Sequence, residues 1–191
     1  SSNRFDLLER TLDSFLALNT YPIEKYIINE DSGNVECVKK IIDKYGHLFH
    51  VLFHPKREGL SNALDNLIKH VETPYVFNIE DDWEFFGNRF FMLESLHVLQ
   101  NYDVHQVWIR DKKDHKHPLK KGTYLIDYVS KGYQGHWGGF SFNPSLRRTA
   151  DIKKMFPNGF KEFGDEALCS KHAETFNYKA VSLTNPAIKH I

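Results

Sequence analysis

The stretch YVFNIEDDWEFF, residues 75–86, places three consecutive acidic residues directly after a segment with the composition of a buried β-strand. Most of residues 75–79 are β-branched or aromatic, which is typical of a strand in the core of a sheet. Glu80, Asp81 and Asp82 follow without a break. Adjacent carboxylates repel one another, and burying them is costly unless a cation lies among them. The stretch therefore predicts a site for a metal ion or a basic side chain, with a solvated acidic turn as the alternative.

Length and composition narrow the class of protein. The chain has 191 residues, of which 41% are hydrophobic and 26% charged, enough for one domain with a sizeable core. Lys plus Arg and Asp plus Glu both number 25, so charge gives no argument for a nucleic acid or an anionic membrane as the main partner. Two well-separated cysteines fit a reducing compartment, and no apolar run is long enough for a transmembrane segment. We expect a single cytoplasmic domain over residues 1–191, alone or within a larger protein.

Helix and strand patterns alternate along the first half of the chain. Apolar residues at helical spacing predict helices over 5–18, 35–45 and 60–71, and strand-like segments cover 25–29, 49–53 and 75–79. Helices of this length serve as crossovers, so the expected fold class is α/β, with a mainly parallel central sheet flanked by helices. The first helix starts close to residue 1, with Asn3 as its expected N-cap. A helix of this kind normally follows a strand, so we expect a further strand before residue 1.

Acidic and basic residues follow neighbouring strands of the predicted sheet. Glu30 and Asp31 come after one strand, and Lys56 and Arg57 come after the next. Ligands of open α/β sheets bind beyond the carboxyl ends of the strands. Acids beside bases at that edge suit a nucleoside diphosphate, because carboxylates bind ribose or base, a divalent cation bridges the phosphates, and basic side chains neutralise the rest. The alternatives are an N-capping turn for the two acids and a solvated pair for the two bases.

The order of the motifs resembles the GT-A glycosyltransferases, particularly the family 2 type. The matching segments are the Asn-Arg loop at residues 3–4, IINEDSGN (27–34), REGLSNALDNLI (57–68), FNIEDDWEF (77–85), GGFSFNPSLRR (138–148) and GFKEFGDEALCSKHAE (159–174). FNIEDDWEF resembles the family's DxD metal motif, with Glu80 and Asp82 at the outer positions. The sequence departs from the family pattern at Leu64-Asp65, where Arg-Asn is usual, and at Gly164, where a Glu is common.

The resemblance implies one Rossmann-like GT-A domain, with residues 1–100 as the nucleotide-binding half and residues 101–191 as the acceptor-binding half. It implies an inverting glycosyltransferase of the hexosyltransferase type, which uses a nucleotide-sugar donor, expected to be a UDP-sugar, a glycan or glycoprotein acceptor, and Mn²⁺ or Mg²⁺. The expected metal ligands are Asp82, Glu80 and His190. The expected donor-binding residues are Asn3, Arg4, Glu30, Asp31, Lys56, Arg57, Asn62, Glu80 and Asp81.

Sugar transfer also requires a base that takes the proton of the acceptor hydroxyl. Asp165, at the start of a predicted helix over 165–176, is the first candidate, with Glu166 as its rival and simple helix capping as the alternative. His136 and Trp137 lie in a glycine-rich segment and are expected to contact the acceptor, with core packing as the alternative for Trp137.

The basic segment 110–122 is predicted to be a mobile, solvated loop, with a lid or an acceptor contact as the alternative. Two other functions share the α/β plan: a sugar-nucleotide nucleotidyltransferase and a catalytically inactive domain that binds a sugar nucleotide. A transferase releases nucleoside diphosphate when an acceptor is present, whereas an inactive domain releases none with any acceptor.

Overall fold

The computed structural model describes residues 1–115, 118–130 and 139–191, which form six α-helices and ten β-strands. The helices are α1 (Phe5–Leu18), α2 (Val35–Tyr45), α3 (Leu60–Lys69), α4 (Phe91–Asn101), α5 (Thr149–Met155) and α6 (Glu166–Glu174). The strands are β1 (Tyr26–Glu30), β2 (Phe49–Phe53), β3 (Tyr75–Asn78), β4 (Trp83–Phe85), β5 (Gln106–Trp108), β6 (Leu119–Lys121), β7 (Ile126–Val129), β8 (Ser145–Arg148), β9 (Ala180–Leu183) and β10 (Ile188–His190). The elements predicted for the first half all form. None of the helices in these residues is long and apolar enough to cross a membrane.

The central sheet is mixed rather than mainly parallel, which corrects the expectation. β1 and β2 pair in parallel, as their connection through α2 requires. The larger sheet has the order β3-β8-β5-β9-β7-β6, and among these described strands only β5 and β9 are parallel neighbours. The short connection between β6 and β7 joins antiparallel strands, because a return to a parallel position needs a longer crossover. The helix–strand alternation of the first half therefore does not extend to the second half.

An apolar cavity of about 220 Å³ separates β1 from β3. Its walls include Leu12 and Phe15 of α1, Leu67 of α3, and side chains of both strands. At one end of the cavity, the ammonium group of Ser1 donates to the carbonyl of Asn29, and the Ser1 carbonyl accepts from the N–H of Asp31, both at 2.9 Å. This is the hydrogen-bond pattern of a parallel ladder. The residues that precede α1 are therefore held against the end of β1.

Most of the chain's aromatic residues serve the cores. Phe15, Phe85 and Phe91 form one group, with ring centroids of Phe15 and Phe85 5.1 Å apart and those of Phe85 and Phe91 5.6 Å apart. This group holds α1 and α4 against β4. A second core, which includes Phe140 and Phe160, lies under α5 and α6. The two cores hold the segment before β4 and the start of α6 in place.

Candidate active site

Two paired strands bring an acidic side chain and a histidine together. β10 runs antiparallel to β4 with His190 opposite Trp83, the residue that follows Asp82. The Nε2 atom of His190 lies 3.6 Å from Oδ2 of Asp82. The His190 ring also packs edge-on against the Trp83 ring, with centroids 5.2 Å apart. Two of the three residues expected from sequence to bind a metal therefore lie next to each other.

Arg4 is the basic side chain among the acids. Its Nε donates to Oδ2 of Asp81 at 3.3 Å, its Nη1 donates to Oδ2 of Asp82 at 3.2 Å, and its Nη2 forms a closer contact with Oδ1 of Asp81. The Asp81 side chain is only 2% exposed, so its charge is neutralised from within the protein. Burial alone would lower the pKa of Arg4, but Asp81 and Asp82 raise it above its ordinary value. The repulsion expected among the three carboxylates is thus relieved at two of them.

Glu80 relieves the repulsion by holding a proton more tightly. It is partly buried, and Trp83 Nε1 donates to its Oε2 at a long 3.4 Å. Burial raises the pKa of Glu80 to about 7, and the charges of Asp82 and Glu166 add to the effect. Near neutral pH, Glu80 is therefore only partly ionised in the protein without a bound ligand.

The start of α6 presents two carboxylates in different environments. Asp165 is exposed and caps the helix, since its Oδ1 accepts from the N–H of Leu168 at 2.8 Å. Glu166 is partly buried, and its Oε2 accepts from the N–H of Phe142 at 3.0 Å. Glu166 is also close enough to Glu80 to raise its pKa. The structure thus brings Glu166 to the acidic cluster formed by Glu80, Asp81 and Asp82. The described contacts of Asp165, in contrast, are those of an N-cap.

The two acids after β1 hold backbone at the edge of the site. Glu30 is fully buried, and its Oε1 accepts from the N–H of Asn3 at 2.9 Å and from that of Ser32 at 3.1 Å. Asp31 is also buried, and its two oxygens accept from the N–H groups of Glu58 and Gly59 at 2.7 and 2.8 Å. Both carboxylates therefore fix the loops on which other expected site residues lie.

Four expected donor-binding residues lie around these loops. Lys56 and Arg57 are exposed just before the segment that Asp31 holds. Asn62 donates from Nδ2 to the carbonyl of Glu58 at 2.8 Å.

Asn3 is not the N-cap of α1, because Arg4 holds that position. Asn3 has a positive φ of 57°, and its Oδ1 accepts from the Asn34 side chain at 2.8 Å. The turn before α1 is thereby tied to the turn before α2.

Asp65, which departs from the family pattern, has a structural role that sequence reasoning missed. Its carboxylate is buried and accepts from the N–H of Phe160 at 2.6 Å and from that of Lys161 at 3.1 Å. Gly159 precedes them with φ +89°, and a Cβ there would lie 2.5 Å from the Asp65 carboxylate. Asp65 therefore fixes the turn that leads into Asp165 and Glu166.

The second half of the expected site is described in part. His136 and Trp137, the expected acceptor contacts, lie outside the described residues. The segment 110–122 was expected to be solvated, but Arg110 is only 6% exposed, and the ring of His115 packs 5.4 Å from that of Trp108. Arg110 is buried because it follows β5 and forms a parallel bridge with Ile188 of β10, and His115 is half-buried against Trp108.

The side chains of Asp82 and His190 lie at what we call the acidic edge, the end of the sheet where Glu80, Asp81 and Asp82 follow β3. As metal ligands, they fit a divalent ion. The described ranges contain no group of three or more His, Cys, Asp and Glu side chains that could hold a metal by themselves. Asp82 and His190 nevertheless offer a carboxylate and an imidazole on the same side. Mg²⁺ in nucleotide-dependent enzymes is held by one or two carboxylates, with phosphate and water oxygens in the remaining positions. The guanidinium of Arg4 on the same Asp82 oxygen shows that this position attracts a cation.

The chain belongs to glycosyl transferase family 2, whose family model matches residues 1–171. This confirms the predicted class, a GT-A glycosyltransferase of the family 2 type, for the part of the chain matched. No curated protein sequence matches the chain.

Solved structures of glycosyltransferases share the fold. The mannosyltransferase PcManGT from Pyrobaculum calidifontis, in complex with GDP-Man and Mn²⁺, matches with a TM-score of 0.65 at 16% identity, over 95% of this chain and 52% of that chain. TarS of S. aureus matches with a TM-score of 0.70 at 13% identity, over 100% of this chain and 35% of that chain. The structure of TarS residues 1–349 in complex with UDP matches with a TM-score of 0.63 at 15% identity, over 99% of this chain and 57% of that chain. The chain therefore spans about half the length of the mannosyltransferase, and at these identities the likeness is one of fold.

Proposed function

We propose that the chain is the catalytic domain of an inverting, metal-dependent glycosyltransferase that moves a sugar from a nucleotide-sugar donor to a hydroxyl of a glycan or glycoprotein acceptor. The observation that carries the proposal is the Asp82–His190 pair beside Arg4, in a chain of glycosyl transferase family 2. TarS in complex with UDP supports a uridine donor, and the mannosyltransferase in complex with GDP-Man makes a guanosine donor the alternative. A UDP-sugar is the donor that we propose first.

The donor's diphosphate is proposed to lie at the acidic edge. Asp82 and His190 would hold Mn²⁺ or Mg²⁺, with Glu80 as a further ligand once it is ionised. A divalent ion bound there would offset the negative charge that develops on the leaving nucleoside diphosphate. The exposed side chains of Lys56 and Arg57 would add positive charge on the same side. The Mn²⁺ in the mannosyltransferase structure supports this assignment.

The nucleoside is proposed to lie between the turns before α1 and α2. Asn3 and Asn34 join these turns, and Glu30 and Asp31 hold the loops around them. Pre-formed loops lower the cost of ordering the protein when a ligand binds. Arg4 would then contribute to donor binding from the middle of the site.

The proton of the acceptor hydroxyl is proposed to go to a carboxylate at the start of α6. Glu166 is favoured by its position, since it lies near Glu80 and retains acceptor capacity beyond its hydrogen bond to Phe142. Asp165 is the candidate that the family pattern favours, and it is an exposed residue. A base in either place would act on the acceptor, while the ion that Asp82 would hold would stabilise the leaving diphosphate.

A cytoplasmic setting is part of the proposal. Cys37 and Cys169 are both free and buried. Disulfides are rare in reducing compartments, where buried cysteines serve as small apolar residues. The two cysteines therefore support a reducing setting.

A thermal-shift titration tests the proposed function. The protein is mixed with UDP, UDP-glucose, GDP or GDP-mannose, with Mn²⁺ or with EDTA, and a ligand that binds the folded state raises Tm. We expect one nucleotide series to raise Tm with Mn²⁺ only, and Asp82→Asn to lose that shift. Asp103→Asn is the matched control, because Asp103 is an exposed carboxylate paired with Lys179. The absence of a shift with every nucleotide would contradict the proposal.

A further inference from the structure

A second arginine, Arg110, lies behind the acidic cluster. It follows β5 and forms a bridge with Ile188, the first residue of β10, so it belongs to the same part of the sheet as His190. The residue is only 6% exposed, and its guanidinium carbon stacks 4.0 Å from the centroid of the Trp108 ring. Backbone pairing and stacking therefore hold this cation in a defined position.

The guanidinium of Arg110 has unused donors. Nη1 donates to Oδ1 of Asn143 at 3.2 Å, whereas Nε is buried and has no hydrogen-bond partner. Across the described ranges, no carboxylate forms an ion pair with Arg110. Burial lowers the pKa of Arg110 to about 10, and the charges of Glu166, Asp114 and Glu80 offset only part of that effect. A buried cation without a direct partner is costly, so a partner supplied by a ligand accounts for its retention.

Carboxylates with spare acceptor capacity lie near this cation. Glu166 accepts one hydrogen bond, from the backbone of Phe142, and Glu80 accepts one long hydrogen bond, from Trp83. An ionised carboxylate can accept several hydrogen bonds, and a guanidinium can donate five. Arg110 donates to Asn143, and Glu166 accepts from the N–H of Phe142, the residue before Asn143, so the two side chains meet the same short segment. Unused donors and unused acceptors therefore occur in one small region.

A hydroxyl group fits this arrangement better than an anion does. A hydroxyl accepts a hydrogen bond from a guanidinium and donates one to a carboxylate, so it satisfies both sides at once. A carboxylate or phosphate would be attracted by Arg110 but repelled by Glu166. The region therefore favours a neutral, hydroxyl-bearing ligand.

We propose that Arg110, together with Glu166, binds a hydroxyl group of the sugar substrate, on either the donor sugar or the acceptor. This inference rests on the proposed function and adds a specificity-determining residue to it. Arg147, another buried arginine of this region, also has a buried Nε without a hydrogen-bond partner, but its Nη2 already donates to the carbonyl of Ser141 and to the Ser145 hydroxyl. A substrate without the hydroxyl at this position is expected to bind more weakly.

The test compares Arg110→Gln with the control Arg10→Gln, which changes an exposed arginine paired with Glu84. Calorimetry gives Kd for UDP and for UDP-glucose, or for GDP and GDP-mannose if those are the ligands, and steady-state rates give the acceptor KM. We expect Arg110→Gln to leave the nucleoside diphosphate unchanged. Loss of a hydrogen bond from a charged donor should weaken one sugar-bearing partner by about 10- to 100-fold. The donor Kd rises if the hydroxyl is on the donor sugar, and the acceptor KM rises if it is on the acceptor.

Deoxy analogues of the affected sugar identify the hydroxyl. The wild-type protein should lose affinity for one of them by a similar or larger factor, and Arg110→Gln should distinguish that analogue from the parent sugar less strongly than the wild type does, because only the contact with Glu166 remains. Arg110→Lys provides a second variant that keeps the charge but loses the forked donor geometry, and we expect the same partner to be weakened by several-fold.

Unchanged Kd and KM in either folded variant would overturn the inference. An equal loss for the free nucleoside diphosphate would also overturn it, because Arg110 would then serve the phosphates. Failure of the wild-type protein to bind any of these nucleotides would instead overturn the proposed function, before any variant is compared.

Discussion

The Oδ2 atom of Asp82 lies 3.6 Å from the Nε2 atom of His190, across the paired strands β4 and β10. The same oxygen accepts a hydrogen bond from Arg4 at 3.2 Å. The carboxylates that follow β3 therefore avoid mutual repulsion in three ways: Asp81 pairs with Arg4, Asp82 faces two basic groups, and Glu80 binds a proton more tightly. An acidic edge of this kind attracts a cation when a nucleotide brings further negative charge.

We predict that Asp82 and His190 are both needed for metal binding. Asp82→Asn and His190→Ala should each weaken Mn²⁺ binding in the presence of UDP by about tenfold or more, because each removes a ligand. Electron paramagnetic resonance of free Mn²⁺ measures the affinity without any turnover. Asp103→Asn, remote from the site in its pairing with Lys179, is the control. Unchanged Mn²⁺ affinity in both variants would remove these residues from the metal site.

Arg4 should compete with the metal in the protein without nucleotide. Arg4→Gln removes a cation from Oδ2 of Asp82, so we expect Mn²⁺ affinity to rise by several-fold, the effect of losing one partly exposed ion pair. The variant should also be less stable, since Asp81 remains buried without its partner. The same resonance titration and a Tm measurement test both effects. A lower Mn²⁺ affinity would mean that Arg4 orients Asp82 instead of competing for it.

The two carboxylates of α6 should have separable effects. We expect Glu166→Gln to lower kcat by about 10²–10⁴, the usual contribution of a general base, with the affinity for the free nucleoside diphosphate unchanged. Asp165→Asn should alter mainly stability, by less than about 1 kcal/mol, because Asn is also a good N-cap. Single-turnover rates and donor Kd for the two variants give the answer. The reverse result would assign the proton transfer to Asp165, as the family pattern suggests.

Glu80 gives the metal-free protein a characteristic pH dependence. Its pKa is 4.5 in an unfolded chain and about 7 in the fold, so the native state binds this proton more tightly. The contribution of Glu80 to stability therefore falls as pH rises from about 4.5 to about 7 and then stays constant. Glu80→Gln has no such titration. Its free energy of unfolding, relative to that of the wild type, should therefore increase between about pH 4.5 and about pH 7, by at most about 3 kcal/mol.

Urea unfolding in EDTA at about pH 5 and about pH 8 measures this difference. Glu94→Gln is a suitable control, because Glu94 lies on α4 and its carboxylate accepts from the Asn88 side chain and not from a residue of the acidic cluster. A difference between Glu80→Gln and wild type that does not change with pH would show that Glu80 titrates normally.

The acidic edge was predictable from sequence because it follows from strand order. Asp82 comes directly after a strand of strong apolar character, and the end of such a strand in an α/β sheet lies at the ligand-binding edge. His190 followed from the family resemblance, since nothing in the local sequence distinguishes it from a surface histidine. β4 and β10 are short strands of three residues each, and their pairing could not be read from periodicity.

Other parts of the site depend on contacts between distant segments. Arg110 stands in a polar, basic stretch, and only the pairing of β5 with its neighbours shows that it is buried. Asp65 holds backbone 95 residues further along the chain, a contact for which the local sequence contains no signal. The choice between Asp165 and Glu166 depends on which side of α6 faces the acidic cluster, and a one-residue step along a helix rotates a side chain by about 100°.

The most direct test of the proposed function follows the anomeric proton by NMR while the protein acts on an α-linked nucleotide sugar, with Mn²⁺ and an acceptor panel. We predict release of the nucleoside diphosphate and formation of a β-linked product. The reaction should stop in EDTA and in Asp82→Asn, and should continue in Asp103→Asn. A product that retains the α configuration, or transfer that proceeds unchanged in Asp82→Asn with EDTA, would contradict the account.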